Sequence, residues 1–243
     1  YNTTGYKNVA LGDYGLWANT EGMENVAISG NGSLYKNTTG SQNIAIGAAS
    51  LYNNETGNYN IAIGRSSLYS NTASNNVGIG HESLKSNTTG TDNIAVGYNA
   101  LTANTTGGGN TALGSSALKA NTGSNNTAVG FNALLQNTSG SENTAIGDGA
   151  LYTNTTGQKN NAMGRMSLFS NTSGYNNMAA GHKALYANTG NNNTALGYQA
   201  GDVITSGSSN VILGSSADPS DAGGTNQIVI GYGATGQGDN KAV

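Results

Sequence analysis

The chain carries 243 residues with a formal net charge of −3, and only 9% of them are Asp, Glu, Lys or Arg, where roughly 25% is ordinary for a globular domain. Nine Lys and Arg are too few to neutralise a phosphate backbone, which argues against nucleic acid as a partner. No run of about 18 apolar residues is available to cross a bilayer, no block of like charge suits a lipid surface, and without Cys there are no disulfides.

In chain order the sequence repeats itself. An anchor of Asn, an apolar residue or Thr, Ala, an aliphatic residue and Gly first occurs at Asn8-Val9-Ala10-Leu11-Gly12. It recurs from Asn25, Asn43, Asn60, Asn76, Asn93, Asn110, Asn126, Asn143, Asn160, Asn177, Asn193 and Asn210, with a fourteenth copy from Gln227. Successive copies start 16 to 18 positions apart, and Asn240-Lys241-Ala242-Val243 starts a fifteenth copy. Beginning at Tyr1 inside one copy and stopping inside another, without Met or a signal peptide, the sequence reads as a processed product or part of a longer protein.

Numbered from its Asn, the unit is Asn-[Val/Ile/Thr]-Ala-[Ile/Leu/Val]-Gly-x-x-[Ala/Ser]-Leu-x-x-Asn-Thr-[Thr/Ser]-Gly-x-x. Seventeen residues are too few for two packed helices, whose repeats need about 33 or 34, and Gly, Asn and Thr at fixed positions oppose helix. The spacing predicts an all-β chain: a parallel β-solenoid (β-roll) of about fourteen 16–18-residue rungs. Each rung is expected to hold one strand at positions 2–4, a second around the Ala/Ser-Leu pair, and two turns. The shortest copies lose a single residue from the Asn-Thr turn, as at Asn121-Thr122-Gly123.

Two columns are expected to fill the rung interior. Position 4 is aliphatic almost throughout (Leu11, Ile28, Ile46, Ile63, Val96, Leu113), and position 9 is Leu in eleven copies, from Leu16 to Leu185. Ala at position 3 then falls on the opposite strand face, where its small size implies either close packing by something outside or a crowded surface. The Asn-Thr pairs at positions 12 and 13, such as Asn104-Thr105, are expected to stack as amide and hydroxyl ladders. A flat Thr array that orders water is the alternative.

Position 10 carries the candidate binding stripe: Trp17, Tyr35, Tyr52 and Tyr69, then Tyr152, Phe169 and Tyr186. Lys85, Thr102, Lys119 and Leu135 separate these into two patches. The column reads either as an aromatic ladder over the Leu column or as a glycan- or protein-binding stripe. His81 and His182 both stand at position 6, six rungs apart, in a varied column that reads as solvent-facing. Two His at that spacing make no Ser-His-Asp set, no acidic column suits calcium, and no Gly-rich fragment carries a phosphate-loop Lys. No catalytic, cofactor-binding or metal-binding residue is expected, and no enzymatic activity.

Residues 1–197 are regular. From 198 to 243 the Leu column fails, with Gly201 and Asp218 in its place, and an insertion contains Pro219 and Gly223-Gly224. These residues are expected to continue or cap the same roll.

The anchor, as in Gln42-Asn43-Ile44-Ala45-Ile46-Gly47 and Tyr59-Asn60-Ile61-Ala62-Ile63-Gly64, resembles the head repeat of trimeric autotransporter adhesins and the related repeats of bacterial surface fibres and phage tail fibres. The resemblance spans essentially the whole chain at five or six residues per copy. It implies a left-handed parallel β-roll, three chains around one axis, and an extracellular head on a cell surface or virion. The period here is longer than that of those heads, by the extra Asn-Thr-Thr-Gly turn, and the sequence shows no neck, stalk or anchor. The expectation is therefore a homotrimeric structural or adhesive fibre segment whose partners are its own copies and a surface protein or glycan. A passive shaft and a monomeric ice-binding-type solenoid are the alternatives.

Overall fold

A computed structural model describes residues 2–243 as two units, Tyr1–Gly123 and Ser124–Val243. Each is a parallel β-solenoid with seven strands, and no helix occurs among the described residues. The first unit holds β1 (Val9–Leu11), β2 (Val26–Ile28), β3 (Ile44–Ile46), β4 (Ile61–Ile63), β5 (Val77–Ile79), β6 (Ile94–Val96) and β7 (Thr111–Leu113). The second holds β8 (Thr127–Val129), β9 (Thr144–Ile146), β10 (Asn161–Met163), β11 (Met178–Ala180), β12 (Thr194–Leu196), β13 (Val211–Leu213) and β14 (Ile228–Ile230). Within a unit each strand pairs with the next in parallel, position for position: Ile44 with Ile61, Ala45 with Ala62, Ile46 with Ile63.

Each rung has one three-residue strand, not the two expected. The Ala/Ser-Leu segment is a turn, and its Leu adopts a left-handed backbone: φ is 51° at Leu101 and 50° at Leu84. Positions 7 and 17 are left-handed too, as at Asn99 (φ 56°) and Asp92 (φ 60°). An L-residue in that region costs about 1–2 kcal/mol. Burial of the Leu side chain, about 1.5–3 kcal/mol, offsets the cost at position 9. Position 5 bends further, and Gly47 (φ 124°) shows why Gly recurs there: a Cβ would lie 2.7 Å from the Gly64 carbonyl carbon of the next rung.

The interior also differs from expectation. Position 3, not position 4, faces in. Ala27, Ala45, Ala62, Ala95 and Ala112 are fully buried, as are Leu34, Leu51, Leu68, Leu84, Leu101 and Leu118 at position 9. Position 4 faces out: Leu11, Ile63 and Leu113 are exposed, and Ile28, Ile46 and Val96 are half-buried. The cause is thickness. The position 9 Leu, turned inward by its left-handed backbone, fills the rung and leaves room for only a methyl group beneath the strand. At Gly78 even that is too much, because a Cβ would approach the Ser67 hydroxyl at 2.5 Å.

The remaining interior is amide. Position 1 Asn from Asn25 onward and position 12 Asn from Asn19 onward are buried in both units. Asn43 donates its backbone N–H (3.0 Å) and its side-chain Nδ2 (3.1 Å) to Oδ1 of Asn25 one rung before, and Nδ2 also to the Gly57 carbonyl at 2.8 Å. At position 12, Nδ2 of Asn37 donates to Asn19 Oδ1 at 2.8 Å and to the Gly40 carbonyl at 2.9 Å. The expected amide ladder is thus doubled, and it satisfies turn carbonyls that would otherwise be buried without donors.

In the second unit side-chain sizes exchange where the pattern breaks. Gly201 stands in the Leu column, and the buried Ile204 occupies the position 12 site that Asn holds elsewhere. Ile212 and Val229 replace Ala at position 3, and both are buried. A Cβ on Gly201 would sit 3.0 Å from Leu185 and 3.2 Å from Ile204, so the exchange leaves no void there. β13 and β14 keep the parallel register of β12.

Candidate functional site

The residues that could meet a partner lie in three surface columns. The aromatic stripe of position 10 forms in both units. Trp17, Tyr35, Tyr52 and Tyr69 stack with centroids 6.5, 5.0 and 5.3 Å apart and planes within 13° of parallel. Tyr152, Phe169 and Tyr186 stack at 5.0 and 5.3 Å. Parallel rungs bring each ring directly over the next, so the rings cover one another's faces and show the outside their edges and phenolic hydroxyls. Tyr14 closes the first stack edge-on against Trp17 at 5.4 Å. Tyr14, Asn31, Gly32, Tyr35 and Tyr52 line a shallow cavity of about 210 Å³ beside it. Lys36 lies over the Tyr52 ring at 5.9 Å.

The second column is the outward sheet face, which sequence reasoning placed partly in the core. In the first unit position 2 is Val9, Val26, Ile44, Ile61, Val77, Ile94 and Thr111, beside the aliphatic residues of position 4. Ile94 is 45% exposed and Leu113 48% exposed, and the face holds no charged residue. In the second unit position 2 is more polar, with Thr127, Thr144, Asn161 and Thr194. The strand's two-residue period shows that positions 2 and 4 share a face but not which way that face points.

The third column is position 6. His81 stacks on Tyr98 at 5.4 Å and His182 on Tyr198 at 5.4 Å. In both His residues Nδ1 is buried without a hydrogen-bond partner. Beside His81, Lys85 donates to Glu82 at 2.7 Å, which holds that carboxyl below its usual pKa. Arg165 pairs with Asp148 at 3.3 Å.

The Thr column is not a free hydroxyl array. Thr38 Oγ1 donates to the Glu55 carbonyl at 3.0 Å and Thr88 Oγ1 to the Thr105 carbonyl at 3.0 Å, so these hydroxyl protons are held by the next rung. Among the described residues no cluster of three or more His, Cys, Asp and Glu could hold a metal, and no helix is long and apolar enough to cross a membrane.

No protein-family model matches the chain, and no curated protein sequence matches it significantly.

Proposed function

We propose that this chain is a segment of an extracellular structural or adhesive fibre that assembles as a homotrimer through its outward sheet face. The observation that carries this reading is the first unit's double column of aliphatic residues, interrupted only by Thr111 and unbroken by charge over successive rungs. A contiguous exposed apolar surface of this kind marks an association site. Its regular spacing selects the occupant: rungs repeat at about 4.8 Å, and a second copy of the chain presents aliphatic columns at that same interval. Cyclic closure around the face would bury it without leaving an open edge for further growth. The stacked aromatic stripe and the donor-bearing position 6 column would stay on the outside as attachment surfaces.

Sedimentation equilibrium tests the assembly. A mass of three times the 24.4 kDa chain supports it, and a folded species at 24.4 kDa overturns it. One observation favours the passive-shaft reading: the position 10 rings cover one another's faces. That column then stiffens the fibre, and attachment falls to other residues.

A further inference from the structure

The chain contains a longer repeat, six rungs in length, laid over the short one. The rungs from Asn43, Asn60, Asn76, Asn93 and Asn110 align with those from Asn143, Asn160, Asn177, Asn193 and Asn210, at an offset of 100 residues except at Asn76 and Asn177, where it is 101. Most outward positions differ between the two copies. At position 2, Ile44, Ile61, Val77, Ile94 and Thr111 become Thr144, Asn161, Met178, Thr194 and Val211. Position 6 behaves differently. Arg65, His81, Tyr98 and Ser115 recur as Arg165, His182, Tyr198 and Ser215. Neither fold nor packing requires this, because other rungs accept Asp13, Asn31, Ala48 and Phe131 at position 6.

The geometry is duplicated with the residues. In each copy the His ring lies on the Tyr ring, with planes 17° and 14° from parallel. In each copy Nδ1 is buried with no hydrogen-bond partner, which leaves Nε2 as the ring nitrogen that can meet a ligand. In each copy the stack ends at a Ser, which leaves the far face of the Tyr ring uncovered. Tyr98 is 56% exposed and Tyr198 53% exposed. In the second unit Tyr232, 88% exposed, stands in the same column one rung beyond Ser215. At 5.0–5.4 Å per rung, Tyr198 and Tyr232 are roughly 10 Å apart, room for one ring between them.

We propose that this Arg-His-Tyr-Ser run, present twice, binds a carboxylate-bearing oligosaccharide. Arg takes the carboxylate, His Nε2 hydrogen-bonds a sugar hydroxyl, and the uncovered Tyr face takes a sugar ring over the Ser. Arg and Ser are three rungs apart, about 15 Å, so the ligand is an oligosaccharide lying along the column and not a single sugar. Guanidinium fits a carboxylate through paired hydrogen bonds, and a flat aromatic face with a few placed donors is the usual composition of a small-molecule site. The sites differ in charge: Glu82 stands beside His81 where Lys183 stands beside His182. Asp148 pairs with Arg165 at 3.3 Å, whereas Ala48 stands at the corresponding place below Arg65.

The proposal gives the adhesive reading its ligand and rests on that reading for its biological use, but binding is measured on the chain itself. The probe is a uronic-acid tetrasaccharide, titrated calorimetrically into the full chain at low ionic strength, with a neutral glucose tetrasaccharide as comparison. Two sites per chain are expected. Tyr198→Ala should leave one, Tyr98→Ala with Tyr198→Ala should leave none, and Asp148→Ala should tighten the second site several-fold. These side chains are exposed or half-buried, so an unchanged melting temperature will show that the variants fold. No heat with the uronic tetrasaccharide, equal binding of the neutral one, or unchanged binding in the double Tyr variant would each overturn the proposal. The sedimentation mass of the same samples reports on the fibre reading separately.

Discussion

The side chain of Asn71 turns away from Asn54. Where the turn has its full length, the position 12 Nδ2 reaches the Oδ1 of the preceding rung, as Asn54 does to Asn37 at 3.1 Å. Asn71 instead donates to the Ala73 carbonyl at 2.8 Å, and Asn54 Oδ1 is left buried without a partner. The cause is length, because Asn76 follows Asn60 by only 16 positions and the turn between them is one residue short. The other two short rungs, from Asn110 and Asn177, follow Asn104 and Asn171, whose Oδ1 atoms are the other two unpartnered acceptors of this column. Part of the loss is recovered when Asn76 Nδ2 crosses over to Asn71 Oδ1 at 3.2 Å.

Restoring the missing residue should therefore stabilise the first unit. Insertion of a Thr between Thr72 and Ala73 is expected to raise unfolding free energy by about 1–2 kcal/mol, the penalty of an unsatisfied buried acceptor. Urea denaturation of the insertion variant checks this, and a decrease would mean that the short turn is not the cause.

Inside and outside should separate cleanly by mutation. Leu101→Ala removes a fully buried side chain and is expected to cost about 3 kcal/mol. Ile94→Ser, on the outward face, should cost far less folding stability per chain yet weaken self-association. Replacing Ile44, Ile61 and Ile94 together by Lys should shift the sedimentation mass toward 24.4 kDa.

The aromatic stack has a position-dependent prediction. Tyr52 is stacked on both faces, whereas the terminal Tyr69 is stacked only on Tyr52. Each stacked pair contributes about 0.5–1.5 kcal/mol beyond burial, so Tyr52→Ala should destabilise more than Tyr69→Ala in thermal melts. Equal losses would mean that the stacking adds nothing. Loss of surface attachment in the triple variant at 35, 52 and 69, with folding intact, would assign binding to the ring edges.

Asp218 supplies a pH dependence. Burial, and next the negative charge of Asp202, raise its carboxyl pKa above the usual value. A raised carboxyl pKa means that the folded state favours the protonated form. The stability it contributes is present at low pH and is lost as pH rises through the ordinary carboxylate range and the folded pKa above it. Asp218→Asn should therefore stabilise the second unit at pH 7 and change little at pH 3. The reverse order in pH-dependent melts would overturn the assignment.

The rung count, the parallel register and the turn that loses a residue in the short copies were legible in the sequence, because a short period is marked by a fixed Asn; the extra residue of the 18-residue rung, at Ser29-Gly30, was not placed. The inward face was not legible either. The two-residue strand period groups Ile94 with Val96 and sets Ala95 apart, but gives no direction. Assigning the larger residues to the core fails here because Leu101, entering from the turn, already fills it. The second strand was misplaced for a related reason: nothing in Ala100-Leu101 marks a left-handed turn, and only rung closure imposes φ 51° on a Leu. The paired aromatic stacks followed from their column. The duplicated Arg-His-Tyr-Ser run was present in the letters but requires comparison across six rungs rather than one.

The rung-to-rung bonding has a mechanical consequence. Within each unit nearly every inter-rung hydrogen bond joins one rung to its immediate neighbour, as Ile44 N–H to the Asn60 carbonyl. A pull along the stack loads all the bonds of one junction, while a pull that peels a terminal rung breaks them one after another. Each detached rung then releases about 17 residues of slack, roughly 55 Å when extended at about 3.3–3.6 Å per residue, while the rungs behind it keep their own ladders. Such a solenoid absorbs tension in equal steps and can rewind rung by rung when the load is removed.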